Sequence, residues 1–236
     1  MGLNAARKQN LWRIGAAILV IMLPLLVTLT KYTHIEAQKR EAMSCEQLAI
    51  TLEARDNQSV ISPRSVVLMG GSRISDWPSI PKTLANHPVL VRSLPNLRLS
   101  SVAECFDRAI AHYRPYAVLF WLEDRALDEP IDGLVSALEK IQERADYYGV
   151  VPTFAVVLPI PSPALAAKPQ VQTRFYRELS ARIESSSSVR IIDLSPVFGK
   201  DYRNPERHLF WPNGMRLNEE GYRKVAASLE AFLDSL

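Results

Sequence analysis

The stretch that decides the fold is Val66-Val-Leu-Met-Gly-Gly-Ser-Arg-Ile-Ser-Asp-Trp77. Its first four residues are all apolar, which is typical of a strand buried on both faces of a parallel sheet. Gly70 and Gly71 end the apolar run, and a helical pattern follows from Ser72. The residues of this turn should therefore lie at the carboxyl edge of the sheet, where parallel sheets bind their ligands.

The same alternation of apolar runs and helical patterns continues to the C-terminus. It predicts a three-layer α/β/α sandwich with a mainly parallel five-stranded sheet, as in flavodoxin-like folds. The domain is predicted over residues 59–236, and residues 33–58 form a helical linker before it. Further strands are predicted at 88–91, 116–121, 153–158 and 189–193, and helices at 101–113, 131–148, 171–184 and after Asn218.

An uncharged apolar run near the N-terminus indicates a membrane segment. It extends over residues 14–30, between Arg13 and Lys31, and its 17 residues are at the short end of the about 17–25 that a spanning helix needs. Trp12 and Tyr32 flank the run, where aromatic rings prefer the headgroup level. We therefore predict a transmembrane helix over residues 14–32.

The basic residues around this run predict its orientation. Three basic residues and the amino terminus precede the run, whereas the three basic residues that follow it are partly offset by two acidic ones. Residues 1–13 are therefore predicted to be cytoplasmic and the domain periplasmic or extracellular. A cleavable signal peptide is the alternative, although the run exceeds the usual 7–15 apolar residues of such peptides, and no clean A-x-A site follows it. A buried core helix is a second alternative.

Charge and cysteine content exclude several function classes. A net charge of +3 with scattered basic residues does not favour a nucleic-acid partner. Cys45 and Cys105 have no Cys or His at ligand spacing, so we predict no metal site, and no cofactor is predicted either. The two cysteines are predicted to be buried, unpaired thiols. A disulfide between them is the alternative for an oxidising compartment.

Two blocks of the sequence resemble the SGNH/GDSL hydrolases. The quoted stretch resembles the family's first block, Gly-Asp-Ser after an apolar strand, with Ser72 at the nucleophile and Gly71 in place of the aspartate. Near the C-terminus the family has Asp-x-x-His followed by Leu-Asn-x-x-Gly-Tyr. There Leu-Asn-Glu-Glu-Gly-Tyr222 matches closely, but Asn213 replaces the aspartate and Arg216 replaces the histidine.

The two middle blocks of the family are weaker in this chain. Arg98 is nearest to the position of the family's oxyanion-hole glycine. After the third predicted strand the family has Gly-x-Asn-Asp; here Trp121 replaces the glycine, Glu123 replaces the asparagine, and Asp124 is retained. The resemblance implies the family's fold over nearly the whole domain, with most of its catalytic residues replaced.

These replacements imply loss of the family's chemistry. A serine becomes a nucleophile when a base accepts its proton, and the guanidinium of Arg216 has no acceptor. Arg98 or Trp121 is expected to crowd the oxyanion hole. His208, a few residues before the last block, is a possible substitute base, and a solvent-exposed loop histidine is the ordinary alternative.

The polar residues of the predicted cleft allow two interpretations. Arg98 and Arg216 pair with Glu123 or Asp124, or else they bind an anionic or polyhydroxylated ligand. Trp77, Trp121 and Trp211 could stack on a sugar, or belong to the core.

We therefore predict a membrane-anchored, SGNH-like pseudoenzyme of the cell envelope, with a polysaccharide-related role as one interpretation. Its expected partners are the membrane, through the N-terminal helix, and a glycan or acylated ligand. One alternative is an active serine esterase or acyltransferase that uses Ser72 with a non-standard base. Another is a structural subunit that has a partner in a membrane complex.

Overall fold

A computed structural model describes residues 22–24, 44–57, 61–62, 64–77, 80–84, 86–94, 97–186, 188–199 and 202–236. Most of the predicted membrane segment, residues 1–13 and the first part of the predicted linker lie outside these ranges. Within them, no helix combines the length and apolar character needed to cross a membrane. The chain divides into two compact units, Met1–Glu41 and Ala42–Leu236, and the elements below belong to the second.

Five parallel strands form one sheet in the order β2-β1-β3-β4-β5, which confirms the predicted mainly parallel sheet. Apart from Thr153, the first residue of the fourth strand, the three central strands are apolar, because helices cover both of their faces. The strands are β1 Val66–Gly70, β2 Val89–Ser93, β3 Ala117–Trp121, β4 Thr153–Val157 and β5 Arg190–Ile192.

Nine α-helices and several short 3-10 turns surround the sheet in the part of the chain described from residue 44 onward. The helices are α1 Cys45–Asp56, α2 Ser72–Ser75, α3 Ile80–Thr83, α4 Leu99–Glu104, α5 Phe106–Ala109, α6 Ile131–Tyr147, α7 Pro169–Ser186, α8 Ser195–Phe198 and α9 Glu219–Leu233. The helix predicted over residues 101–113 is broken into α4, α5 and a 3-10 turn.

Alternate residues of the strands point into two separate cores. From β1, Val67 and Met69 join the core beneath α1 and α4–α7. Val66 and Leu68 join the core beneath α2, α3 and α9. Two cores on opposite faces of one sheet make the three layers that the sequence predicts.

Helix α1 belongs to the domain and is not the predicted linker. Ser44 and Gln47 cap its first turn reciprocally, and Leu48 and Leu52 are completely buried against the sheet's helical layer. The domain therefore begins before the predicted boundary at residue 59. Leu48 and Leu52 of α1 are one helical turn apart, but the surface that buries them comes from helices about fifty residues further along the chain.

The prediction of two unpaired thiols is wrong, because Cys45 and Cys105 form a disulfide. Their Cα atoms are 4.9 Å apart, within the range that a disulfide bridges. Cys45 begins α1, and Cys105 joins α4 to α5. Their proximity depends on how α1 docks, which no local pattern encodes.

A buried ion pair holds the other end of α1. Arg92 of β2 is 1% exposed and donates to the carboxylate of Asp56, the last residue of α1. The hydroxyl of Tyr113 donates to the same carboxylate at 2.7 Å, and the Arg92 guanidinium lies 4.7 Å from the centre of the Tyr113 ring. Burial, followed by the hydrogen bond to Asp56, raises the pKa of Tyr113 to about 12. An unpaired buried charge is costly. Helix α1 therefore stabilises the domain by supplying Asp56, the carboxylate that pairs with the buried Arg92.

We expect that breaking the disulfide destabilises the domain without changing its fold. A cross-link across 60 residues of sequence contributes about 2–4 kcal/mol, mainly by restricting the unfolded chain. The Cys45→Ala/Cys105→Ala variant should lose this amount in urea denaturation, and a reductant should lower the wild-type midpoint to that of the variant. A wild-type midpoint that does not respond to reductant would contradict the disulfide.

Candidate functional site

A cleft of about 510 Å³ opens at the carboxyl ends of β1 and β3. The structure brings four of the predicted site residues to it, Ser72, Glu123, Asn213 and Arg216, and places Arg98 elsewhere. The cleft is lined by Ser72, Arg73, Asp76, Glu123, Asp124, Arg125, Asn213, Met215 and Arg216. Three guanidinium groups therefore face three carboxylates.

The Ser72 hydroxyl is engaged by a carboxylate. Its Oγ donates to Glu123 Oε1 at 2.9 Å, and the backbone N–H of Arg73 donates to the same oxygen at 3.0 Å. Glu123 follows the third strand, and Ser72 begins α2 after the first. Because β1 and β3 are paired neighbours, their carboxyl ends bring these two residues together.

Gly71 makes the space that Glu123 occupies. A Cβ built on Gly71 would lie 2.5 Å from the Glu123 carboxylate carbon and one of its oxygens, and 2.6 Å from the other. Real Cβ contacts are essentially never this short, so a side chain at position 71 would force the flexible end of Glu123 to leave this place and its hydrogen bonds to Ser72 and Arg73. The two replaced family positions, 71 and 123, are therefore sterically coupled.

Arg73 forms the buried ion pair of the site with Asp124. The Arg73 side chain is 7% exposed, and its Nη2 lies 2.6 Å from both carboxylate oxygens of Asp124. Burial raises the pKa of Asp124, although the Arg73 charge opposes this shift. Arg73 Nη1 is buried and has no hydrogen-bond partner among the described residues. The sequence predicted Asp124 as a cleft carboxylate but paired it with Arg98 or Arg216, and its partner is Arg73.

Arg216 pairs with Asp76, so its predicted pairing with Glu123 or Asp124 is wrong. Arg216 Nε and Nη2 donate to the two carboxylate oxygens of Asp76 at 2.8 and 2.7 Å, and these hydrogen bonds raise the pKa of Arg216. Asn213 Oδ1 accepts hydrogen bonds from the backbone N–H groups of Met215 and Arg216 at 3.0 and 3.2 Å. Asn213 therefore shapes the turn, and this turn directs Arg216 to Asp76, one turn beyond Ser72.

The remaining predicted site residues lie outside the cleft. The Nε of Arg98 lies 3.8 Å from Glu129. Arg98 lines an adjoining cavity of about 30 Å³, which shares Glu123 and Arg125 with the cleft. The ring nitrogens of His208 lie 3.4 Å from Glu206 and 3.7 Å from Glu220, and His208 is not among the cleft-lining residues. Within the described ranges no group of three or more His, Cys, Asp or Glu residues could hold a metal ion.

Two of the three tryptophans belong to the core. Trp77 and Trp121 are each 3% exposed and meet edge to face at 6.4 Å. Trp77 also stacks on Tyr222 at 5.2 Å, and the Tyr222 hydroxyl donates to the backbone carbonyl of Arg73 at 2.7 Å. Trp77 and Tyr222 therefore support the backbone of Arg73 from the core. Trp211, with 58% of its surface exposed, is the one available for stacking on a ligand.

Several solved structures share this architecture. One named as a platelet activating factor from Streptococcus pneumonia has a TM-score of 0.68 at 13% identity, over 88% of this chain and 99% of that one. A GDSL-like lipase from Bacteroides thetaiotaomicron has a TM-score of 0.61 at 12% identity, over 79% and 97%. A family 3 carbohydrate esterase from Clostridium thermocellum has a TM-score of 0.51 at 13% identity, over 72% and 94%. No family model and no curated protein matches the sequence. The comparisons support an SGNH/GDSL-type hydrolase fold.

The two arginines of the cleft should differ sharply in their contribution to stability. Arg73→Ala leaves Asp124 uncompensated in a largely buried place, so we expect a loss of about 3–5 kcal/mol. Arg216→Ala removes an ion pair whose arginine side chain is 60% exposed, and we expect a much smaller loss of stability, because water screens exposed ion pairs. Urea denaturation at neutral pH measures both. Equal losses would contradict the assignment of Arg73 as the buried partner.

The steric coupling of positions 71 and 123 can be measured by a double-mutant cycle. Gly71→Ala forces the Glu123 carboxylate to move, so we expect it to cost about 1–3 kcal/mol. In a Glu123→Ala background the added methyl group meets no carboxylate, and the same change should cost less. We expect a coupling free energy of about 0.5–3 kcal/mol. Strict additivity of the two changes would show that Glu123 does not occupy this space.

Proposed function

We propose that this chain is a non-catalytic, SGNH-hydrolase-like protein that binds a ligand in its cleft at the outer side of a membrane. The observation that carries the proposal is the position of Glu123, whose carboxylate accepts hydrogen bonds from both the Ser72 hydroxyl and the Arg73 N–H. The family that the sequence resembles has an asparagine at this position, whose neutral amide donates hydrogen bonds instead of accepting them with a charge.

Acyl transfer needs donors where the carbonyl oxygen becomes negative. An ionised glutamate has only acceptors, and here it adds a negative charge beside the serine. Two negative charges about 4 Å apart repel each other by about 4 kcal/mol near a protein surface, which alone slows a reaction roughly a thousandfold. Arg216 stands where the family has its base, and it is held by Asp76.

Two features of the chain support an exported, membrane-anchored location. The uncharged run over residues 14–30 with its basic leading flank favours an anchor with a cytoplasmic N-terminus. The disulfide between Cys45 and Cys105 independently favours an oxidising compartment, because disulfides are rare in the cytosol. We therefore propose a periplasmic or extracellular domain.

The charges of the cleft indicate the class of ligand. Arg73, Arg125 and Arg216 are balanced by Asp76, Glu123 and Asp124, so a strongly anionic ligand gains little. Alternating guanidinium and carboxylate groups suit a ligand with many hydroxyl groups, which both donate and accept. A glycan, acylated or not, fits this pattern, and a carbohydrate esterase is among the proteins of similar fold.

A second candidate function rests on one contact. The hydrogen bond of 2.9 Å between Ser72 Oγ and Glu123 is the geometry in which a base accepts a proton from a nucleophile. In that case Glu123, and not His208, is the non-standard base of an active serine esterase.

Hydrolysis of p-nitrophenyl acetate by the purified protein separates these two functions. We expect the wild type, Ser72→Ala and Glu123→Gln to give the same slow rate, because neither a base nor an oxyanion hole is in place. Clear turnover that disappears in both variants would instead establish a Ser72–Glu123 esterase. Turnover that persists in both would identify a contaminant or a nonspecific surface reaction.

A further inference from the structure

The edge of the sheet opposite the cleft carries a row of exposed residues. Arg64, Arg114 and Val151 precede β1, β3 and β4, which are neighbouring strands. Backbone hydrogen bonds from Tyr116 N to Ser65 O at 3.2 Å and from Thr153 N to Tyr116 O at 2.9 Å keep these three segments in register. Neighbouring strands are about 4.8 Å apart, so the three residues span a narrow strip.

Apolar and aromatic side chains are unusually exposed beside this strip. Val151 is 91% exposed, Tyr147 81% and Tyr148 42%. Tyr147 is the last residue of α6, and Tyr148 and Val151 lie in the short segment that joins α6 to β4. We define the basal face as Arg64, Arg114, Tyr147, Tyr148 and Val151.

The two arginines of the basal face have a costly backbone conformation. Arg64 has φ 55° and Arg114 has φ 45°, and they are the non-glycine residues with positive φ in the described chain. Glycine or asparagine adopts this conformation more cheaply. Both arginines are exposed, and neither forms an ion pair with a described residue. Strain that is retained at exposed, unpaired side chains points to a function for those side chains.

We propose that the basal face docks on an anionic phospholipid surface, an inference that rests on the proposed membrane anchor. Tyrosine rings prefer the headgroup level of a bilayer, and the planar guanidinium group pairs well with phosphate. Val151 has an apolar side chain that would insert between them. One face thus combines the three kinds of side chain that a headgroup layer accommodates.

The chain enters the domain beside this face. The Tyr148 ring stacks on Phe106 at 6.0 Å, and Phe106 follows Cys105, which is bonded to Cys45 in the first turn of α1. Eleven residues, 33–43, separate the predicted membrane segment from Ser44, and they can span at most about 40 Å.

Docking by the basal face would direct the cleft away from the bilayer, because the cleft lies at the other end of the same parallel strands. The ligand of the cleft would then come from the aqueous side and not from the lipid layer.

The test uses the full chain in nanodiscs that contain phosphatidylglycerol and a lipid with a nitroxide near its headgroup. Val151→Cys carries an environment-sensitive fluorophore, and the native cysteines are bonded to each other and do not react. The control is Met215→Cys, which is 56% exposed at the cleft. We expect the label at position 151 to shift to shorter wavelength and to be quenched, and the label at position 215 to do neither.

The arginines are tested in the same discs. Arg64→Gln and Arg114→Gln should each lower the ratio of docked to undocked protein about fivefold. This is the change in binding that one basic residue near an anionic surface produces. Their melting temperatures should match the wild type, which separates lost docking from misfolding. Quenching at position 151 that these variants leave unchanged would contradict a role for the arginines and overturn the docking mode.

The other outcomes separate this inference from the proposed anchor. A chain that does not enter the discs would overturn the anchor and the docked face together. A chain that enters the discs while its label at position 151 stays unquenched and unshifted would overturn the basal face alone. A label that shifts without quenching would identify a protein contact in place of lipid.

Discussion

The Glu123 carboxylate is the group around which this cleft is arranged. It needs donors, and it takes the hydroxyl of Ser72 and the N–H of Arg73. The carboxylate occupies the space that a side chain at position 71 would fill, and this space is open because residue 71 is a glycine. The serine is therefore held as a hydrogen-bond donor to an anion, which opposes the negative charge that ester hydrolysis must develop. The position of Glu123 thus accounts for the glycine at position 71 and, in the proposed function, for the absence of catalysis by Ser72.

Ion pairs of different burial organise the rest of the domain. Arg73 and Asp124 lie beneath the cleft, and Arg92 with Asp56 and Tyr113 joins α1 to the edge strand. Both arginines are almost completely buried, so each makes its partner indispensable. Arg216 and Asp76 face solvent, and their pair fixes a turn more than it stabilises the fold. The base of the cleft is consequently held by a buried ion pair and its rim by an exposed one.

The sequence predicted the sheet because β1, β3 and β4 are apolar, apart from Thr153, and are separated by helical patterns. It also predicted that positions 72, 123, 213 and 216 would share one cleft, since they follow strand ends or the matching last block. The sequence did not predict which charged residues form ion pairs. Arg216 reaches Asp76 only because Asn213 bends the turn. The pairing of Cys45 with Cys105 and the burial of α1 depend on contacts across about sixty residues, which no periodicity contains.

Labelling with a fluorophosphonate, followed by mass spectrometry of the intact protein and its peptides, tests the central claim most directly. This reagent forms a covalent bond with a serine that has both an activating base and an oxyanion hole, whatever the natural substrate is. The account predicts no adduct on Ser72 in the folded wild type, under conditions in which an active serine esterase is labelled fully. A stoichiometric adduct on Ser72 that Glu123→Gln abolishes would contradict it, because Glu123 would then activate the serine that it is proposed to silence.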